Sequence, residues 1–239
     1  MPLPSVGLIS HGTSSAEGRA VIEALAAAVA SDLQARGLAG EVMLGHVDVQ
    51  HPDVAEVLST LPHDGPVVLV PLLLSPGYHV HVDLAEAIRE AGGADGSDIR
   101  LTPTLGPDPR LARILAERLP VLDDSDHVVL AAAGSSDDRA NEACLEVAES
   151  LAQELGRPVS AGFHAGGGHR LADIVEQGRG HGGRVILSNY LLAPGFFHDL
   201  AGKIIADSHD ILAQPLLHSG VRTPPLLVDI VRDRVISAL

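Results

Sequence analysis

Short, nearly continuous apolar segments alternate with longer amphipathic segments along the whole chain. The apolar segments span residues 6–10, 41–47, 67–74 and 98–103 in the first half and 127–132, 159–163, 185–192 and 210–215 in the second. Apolar runs of this length without strict alternation are typical of strands buried on both faces of a parallel sheet. Their alternation with helical segments predicts an α/β fold.

The same order of elements occurs twice, which indicates a tandem repeat of one unit. The third predicted strand carries the clearest match, VVLVPLLLSPGY from Val67 and VILSNYLLAPGF from Val185. The repeat predicts two α/β domains, residues 1–122 and 123–239, each with a mainly parallel sheet flanked by helices. Ligands of such folds bind at the carboxyl ends of the strands, so we expect the active site in the cleft between the two domains.

Polar residues mark the ends of the first long helix in each half. Ser14 with Glu17, and Ser135 with Asp138, are capping signals that predict the two helix starts. Gly37 and Gly156 follow the two helices and predict their ends in a left-handed conformation.

Composition narrows the class of protein. A formal charge of −15 argues against nucleic acid as a partner. Cys144 is the only cysteine, so an internal disulfide is excluded. Its place on an apolar helix face predicts that it is a core residue. No apolar segment reaches the roughly 20 residues that a membrane span needs, and no signal peptide is recognised. We therefore expect a cytoplasmic protein with no membrane partner.

Two histidines distinguish the first copy from the second. His11 follows the first predicted strand, where the second copy has Ala133, and His79 follows the third strand in a Gly-x-His sequence that the second copy lacks. Parallel strands bring these loops to one edge of the sheet, so we expect the two imidazoles to converge. Imidazole binds first-row transition metals and can accept a proton near neutral pH. The alternative is that both histidines only pack at strand ends.

The residues around this pair resemble the class II chelatases, the family of sirohydrochlorin ferrochelatases and cobaltochelatases, in its long two-repeat form. The resemblance rests on Leu-Ile-Ser-His-Gly-Thr at residues 8–13, Asp-Val-Gln-His-Pro at 48–52, Val-Pro-Leu-Leu-Leu at 70–74, and the Gly-x-His at 77–79 followed by Asp83. It implies a lyase that inserts a divalent metal into a tetrapyrrole without ATP, in siroheme or cobalamin biosynthesis, a branch of porphyrin biosynthesis.

The resemblance also implies roles for individual residues. His11 and His79 would be catalytic, binding the incoming metal and accepting two pyrrole protons, and Asp48 would assist as a metal ligand where the family usually has Glu. His51 replaces a common Glu; either it changes metal handling or it is a solvated histidine. His81 is a further candidate metal ligand, and Asp83 either orients an imidazole or complements a helix N-terminus.

Substrate binding requires other groups, because sirohydrochlorin carries carboxylates and the chain is acidic. We expect contacts from the loops that contain Gly12, Thr13, Ser14 and Gly77, since backbone N–H groups at a helix start bind anions. Arg19 and Arg139, one turn into the two long helices, either assist or are ordinary exposed arginines. His164, His169 and His181 belong to a Gly-rich stretch of the second copy and are predicted to be solvated.

Three questions stay open at this stage. The metal, a substrate rather than a cofactor, is Fe²⁺ first, then Co²⁺, then Ni²⁺, and no organic cofactor is expected. The protein is a monomer or a homodimer. A non-catalytic metal or tetrapyrrole carrier would use the same residues, whereas a histidine phosphatase is disfavoured because Ser10, not arginine, precedes His11.

Overall fold

The computed structural model describes residues 2–77, 84–95, 98–206 and 208–239, and of residues 91–95 it describes the backbone alone. The first repeat contains β1 (Ser5–Ser10), α1 (Ala16–Ala35), β2 (Val42–His46), α2 (Val54–Thr60), β3 (Val67–Pro71), α3 (Ala85–Asp95), β4 (Ile99–Leu101) and α4 (Pro109–Arg118). The second contains β5 (His127–Ala132), α5 (Asp138–Leu155), β6 (Val159–Phe163), α6 (Leu171–Gly180), β7 (Val185–Tyr190), α7 (Phe196–Ile205), β8 (Ile211–Leu212) and α8 (Pro225–Ser237).

The strands form two four-stranded sheets with the same topology. Their orders are β2-β1-β3-β4 and β6-β5-β7-β8, and all pairings are parallel. The central strands are buried along nearly their whole length, as expected for sheets covered on both faces. The predicted α/β class and the tandem repeat are confirmed.

The helix starts differ by one or two residues from the capping signals in the sequence. Ser15, not Ser14, caps α1 and accepts from the backbone N–H of Gly18. Asp137, not Ser135, caps α5 through the N–H of Arg139. Several neighbouring polar residues can cap a helix, and the fit of the preceding turn selects among them. The predicted end of α5 is confirmed, because Gly156 has a φ of 64°.

The compact units of the structure do not follow the predicted boundaries at residues 1–122 and 123–239. One unit comprises Met1–Leu105 with Pro225–Leu239, and the other comprises Gly106–Pro224. Helix α4 packs on α5 and β7, and α8 packs on α1 and β3. The last helix of each repeat therefore belongs to the other repeat's unit. An amphipathic pattern specifies an apolar face but not the sheet that covers it.

Half-buried arginines fix these two helices in their units. Arg234 of α8 donates to the carbonyls of Thr104 and Leu105 at 2.8 and 3.1 Å. Arg118 of α4 donates in the equivalent way to the carbonyl of Leu216 at 3.1 Å. Each helix thus caps the loop that follows the last strand of its unit.

Aliphatic side chains fill the core of each unit. One cluster in the first unit contains Ile9, Val54, Val57, Leu58, Leu61, Val67, Leu69 and Leu84. A corresponding cluster in the second unit contains Val129, Ala131, Leu171, Ile174, Val175, Val185, Leu187, Ala201 and Ile205. Cys144 is buried, as predicted. Within the described ranges, no helix combines the length and the apolar character that a membrane span requires.

Candidate functional site

The carboxyl ends of β1 and β2 bring His11 and Asp48 together. These strands are parallel neighbours, His11 follows β1 directly, and Asp48 lies two residues beyond β2. The backbone N–H of Asp48 donates to the carbonyl oxygen of His11 at 3.0 Å. Both side chains are exposed. An imidazole and a carboxylate are therefore presented from two linked loops at one edge of the sheet.

Gly12 allows these two loops to approach. Its φ is 93°, in the left-handed region that favours glycine. A Cβ atom at this position would lie 1.9 Å from the carbonyl oxygen of Asp48. The N–H of Thr13 donates to Oε1 of Gln50 at 2.8 Å and makes a second link between the loops. The Gly-Thr of the sequence motif thus fixes the loop geometry.

The backbone N–H groups predicted to receive substrate carboxylates are mostly engaged within the protein. Gly12 donates to Oγ of Ser10 at 3.3 Å, and Gly77 donates to the carbonyl of Ser75 at 2.9 Å. The N–H of Thr13 is likewise used, as described above. Ser14 is exposed. Their role as substrate contacts stays a prediction, and a bound carboxylate would have to replace the oxygen atoms that now accept from these N–H groups, or bind to side chains instead.

A buried polar pair beneath His11 was missed by the sequence analysis. Ser10 Oγ and His46 Nδ1 lie 2.8 Å apart at the register position where β1 and β2 end. Burial lowers the pKa of His46, so its ring is neutral at physiological pH. Since Ser10 Oγ accepts from Gly12, its hydroxyl hydrogen is available for His46. The pair supports the turn that carries His11. Its signal in the sequence was two polar residues at the ends of adjacent apolar strands.

Asp48 is held by its own loop. Its Oδ1 accepts from the N–H of Val49 at 2.7 Å, and its carbonyl oxygen accepts from Gln50 at 2.8 Å. Val49 has a φ of 67°, which a β-branched residue rarely adopts. This strained turn directs the loop back towards His11. Within the part of the chain that the structure describes, the second carboxylate oxygen of Asp48 accepts no hydrogen bond and can therefore bind a ligand.

His51 is exposed but not merely solvated. Its Nδ1 lies 2.8 Å from Oε2 of Glu56, and this hydrogen bond raises the pKa of His51 and lowers that of Glu56. His79, His81 and Asp83 lie outside the described residues. The predicted convergence of His11 and His79 therefore stays a prediction.

The two arginines singled out in the sequence are both exposed. Arg139 pairs with Asp137 at 2.8 Å, and that carboxylate raises the pKa of the guanidinium. Arg139 is thus an N-cap partner in the second unit, whereas Arg19 is an exposed helix residue.

The corresponding edge of the second sheet has the same backbone arrangement but lacks the imidazole and the carboxylate. Ala165 donates to the carbonyl of Ala133 at 3.0 Å, which places Ala165 at the position of Asp48 and Ala133 at that of His11. Gly134 has a φ of 82°, and a Cβ there would lie 2.0 Å from the carbonyl oxygen of Ala165. The missing carboxylate, like the missing histidine, separates the two repeats.

At this second edge, aromatic side chains pack together instead of presenting exposed metal-binding groups. The ring of Phe197 stacks on His164 with centroids 5.3 Å apart. His164 was predicted to be solvated; this is wrong, because both ring nitrogens are buried, and burial lowers its pKa. The prediction is confirmed for His169 and His181, which are exposed. His198 contacts the Asn189 side-chain nitrogen at 2.7 Å.

The fold and the strand-edge histidine define a class of two-repeat α/β proteins. Comparison with known proteins shows which proteins of this class the chain is similar to. The family model CbiX matches residues 5–121, which is the first repeat and includes His11, Asp48 and His79. The resemblance to the class II chelatases is confirmed by this match together with the folds of solved chelatases.

Solved structures share the fold over the whole chain. The sirohydrochlorin chelatase SirB from Bacillus subtilis subspecies spizizenii, in complex with cobalt, is 19% identical with a TM-score of 0.77 and covers 99% of this chain and 95% of its own. SirB from Bacillus subtilis with Fe³⁺ is 20% identical with a TM-score of 0.78 and the same coverage. CbiX, described as the terminal enzyme for siroheme biosynthesis in denitrifying bacteria, is 19% identical with a TM-score of 0.66 and covers 98% of this chain and 99% of its own. No curated protein sequence matches the chain significantly.

Proposed function

We propose that the protein is a sirohydrochlorin chelatase, an ATP-independent lyase that inserts a divalent metal into sirohydrochlorin. The observation that carries the proposal is the linked pair of exposed His11 and Asp48 at the carboxyl edge of the first sheet. This pair lies within the residues that match the CbiX family model. Its absence from the second sheet, where Ala133 and Ala165 take the two positions, supports a dedicated site in the first repeat.

The reaction exchanges two protons for one metal ion. Two pyrrole nitrogens lose their protons, and the four ring nitrogens then donate lone pairs to the divalent metal. A neutral imidazole at His11 can hold the incoming ion or take up one of these protons. His79 supplies the second imidazole in the proposal, and both protons finally leave to solvent.

A site of this kind must release its ion. Structural zinc sites close with four protein ligands, whereas two imidazoles and one carboxylate leave coordination positions open. Asp48 contributes at most one free oxygen, because its other oxygen accepts from Val49. The tetrapyrrole nitrogens can therefore replace the protein ligands one at a time.

The physiological setting and the metal belong to the proposal as well. The family includes proteins solved with cobalt and with Fe³⁺, so we propose Fe²⁺ or Co²⁺ as the substrate ion, with Ni²⁺ as a third candidate. A cytoplasmic enzyme that acts as a monomer or homodimer, without an organic cofactor, fits the composition.

Turnover of sirohydrochlorin tests the proposal. The purified protein is mixed with excess sirohydrochlorin and Fe²⁺, Co²⁺ or Ni²⁺ without oxygen, and the visible absorption of the ring is followed against a protein-free control. An enzyme completes many rings per chain with at least one metal. Conversion of at most one ring per chain would instead indicate a carrier, and a rate equal to the control would refute both functions.

A further inference from the structure

A second group of metal-binding side chains lies at the start of α2. His51, Asp53 and Glu56 each offer one ligand atom, and these atoms all lie within 4.8 Å of one another. Among the residues that the structure describes, no other set of three histidine, cysteine or acidic side chains meets this condition. The side chains of His51 and Glu56 are 81% and 52% exposed, so an ion can reach them from solvent.

The two carboxylates are held in place by the backbone. Asp53 Oδ1 accepts from the N–H of Glu56, and Glu56 Oε2 accepts from the N–H of Asp53, each at 2.8 Å. This reciprocal capping box fixes both side chains whether or not an ion is bound. The second oxygen of each carboxylate takes no hydrogen bond from the described part of the chain. The group is therefore pre-organised, and each carboxylate still has an oxygen atom that can bind a metal ion.

The second repeat keeps the backbone at this position but only one of the three ligands, because Asp173 takes the position of Glu56. The isolated bridge between His46 and Asp53 recurs between Phe163 and Arg170, so Arg170 replaces Asp53. Gly168 then falls at the position of His51. The same turn forms before α6 without the complete group, so the fold does not require these three side chains. The complete group occurs only in the repeat that carries His11.

The loop before α2 connects this group to the strand edge. Gln50, which precedes His51, accepts from the N–H of Thr13, and Asp48 donates to His11. His51 thus follows three residues after Asp48 in a loop that is already bound to the loop of His11.

We propose that His51, Asp53 and Glu56 form an auxiliary binding site for a divalent first-row transition metal. One imidazole and two carboxylates favour ions such as Co²⁺, Ni²⁺ or Zn²⁺ over Mg²⁺ and Ca²⁺, which prefer oxygen ligands alone. Three ligands on an exposed surface leave positions for water, so the bound ion exchanges readily. If the proposed function holds, the site retains metal beside the loops of the active site.

Titration with Co²⁺ alone tests the site. The double variant His11→Ala/His79→Ala removes the proposed inner ligands, and calorimetry with visible Co²⁺ spectra then counts the ions that remain. We expect one ion per chain. Adding His51→Ala should weaken its binding by at least about tenfold, because even a group that only orients a metal ligand contributes about 10- to 100-fold.

Two further variants keep the test specific. Glu56→Gln retains the capping box, since glutamine also accepts from the N-cap residue, and removes the charge, so it should weaken Co²⁺ binding without unfolding α2. His169→Ala removes an exposed histidine of the second repeat and should leave binding unchanged. Circular dichroism spectra confirm that each variant is folded.

The site is overturned if the double variant binds no Co²⁺, or if its affinity is the same with and without His51 and the Glu56 carboxylate. These results are separable from failure of the proposed function. A wild-type chain that metallates sirohydrochlorin while the double variant binds no Co²⁺ refutes only the auxiliary site. A chain that binds Co²⁺ through His51 but never metallates the ring refutes only the chelatase.

Discussion

The carboxyl edges of the two sheets have the same backbone and different side chains. Each has a glycine in the left-handed region, and each has a 3.0 Å hydrogen bond between the loops after its first two strands. His11 and Asp48 occupy the linked positions in the first unit, and two alanines occupy them in the second. The turn is therefore a property of the fold, whereas the imidazole and the carboxylate are specific to the proposed metal chemistry of the first unit.

A second difference lies just below these loops. Ser10 and His46 end β1 and β2 with a buried hydrogen bond, while Ala132 and Phe163 end β5 and β6 at the same register. An apolar pair is therefore compatible with this fold. A buried polar pair contributes little net stability over an apolar pair of similar shape. Its presence only beneath His11 suggests that it positions the loop for function.

The largest expected effect is on catalysis by the histidines. His11→Ala and His79→Ala should each lower the rate of sirohydrochlorin metallation by roughly 10²- to 10⁴-fold, the range typical for loss of a proton-transfer group. His198→Ala, in the second unit, should change the rate by less than about twofold, because Asn189 already engages its ring. Initial rates at saturating metal test this contrast, and equal losses in all three variants would remove the distinction between the repeats.

The two turn glycines should be equally important for folding but not for activity. Gly12→Ala and Gly134→Ala should each lower the free energy of unfolding by roughly 2–4 kcal/mol, from the left-handed backbone and the clash with the opposing carbonyl. Urea denaturation measures this loss. Below the transition, only Gly12→Ala should also impair metallation; comparable impairment in folded Gly134→Ala would contradict the assignment.

Acid should weaken the second unit through an ion pair that the first repeat lacks. Arg184 holds the pKa of the buried Asp126 at about 2, below its ordinary 3.8. The prolines Pro4 and Pro66 take the equivalent positions in the first repeat. Because the folded pKa is depressed, the stabilisation is present above pH 3.8 and is lost as the pH falls towards 2.

The size of this contribution is about 2 kcal/mol at neutral pH. Asp126→Asn should therefore lower the free energy of unfolding by about that amount at pH 7 and by almost nothing near pH 2. Hydrogen exchange locates the loss, which we expect in β5 and β7. An equal loss at both pH values would show that the carboxylate charge is not responsible.

The smallest effect concerns the pair beneath His11. Replacing it with the residues of the second unit, Ser10→Ala/His46→Phe, should leave the melting temperature nearly unchanged. The same change should weaken Co²⁺ binding and metallation by about tenfold, the lower range for groups that orient a ligand. A large loss of stability with unaltered Co²⁺ affinity would make the pair structural only.

Most of the fold could be predicted because it depends on local patterns. Apolar runs define the strands, and the match at Val67 and Val185 defines the repeat. The exchange of α4 and α8 could not be predicted, since their apolar faces do not identify the sheet that covers them. The start of α1 shifted by one residue because Ser14 and Ser15 can both cap a helix.

The candidate site was predictable where it depends on strand ends. His11 and Asp48 follow parallel neighbours, so their approach follows from topology. The contact between Ser10 and His46 requires the register of two strands, which the pattern alone does not give. The pairing of His51 with Glu56 and the burial of His164 depend on how two loops fold, and short polar segments do not specify this.

The most direct test gives the first unit the residues of the second. The variant His11→Ala/Asp48→Ala copies Ala133 and Ala165 into the same turn, and its rate of sirohydrochlorin metallation is compared with that of the wild type. We predict a folded protein whose rate equals the protein-free background. A folded variant that metallates at close to the wild-type rate would contradict the assignment of the chemistry to this edge of the first sheet.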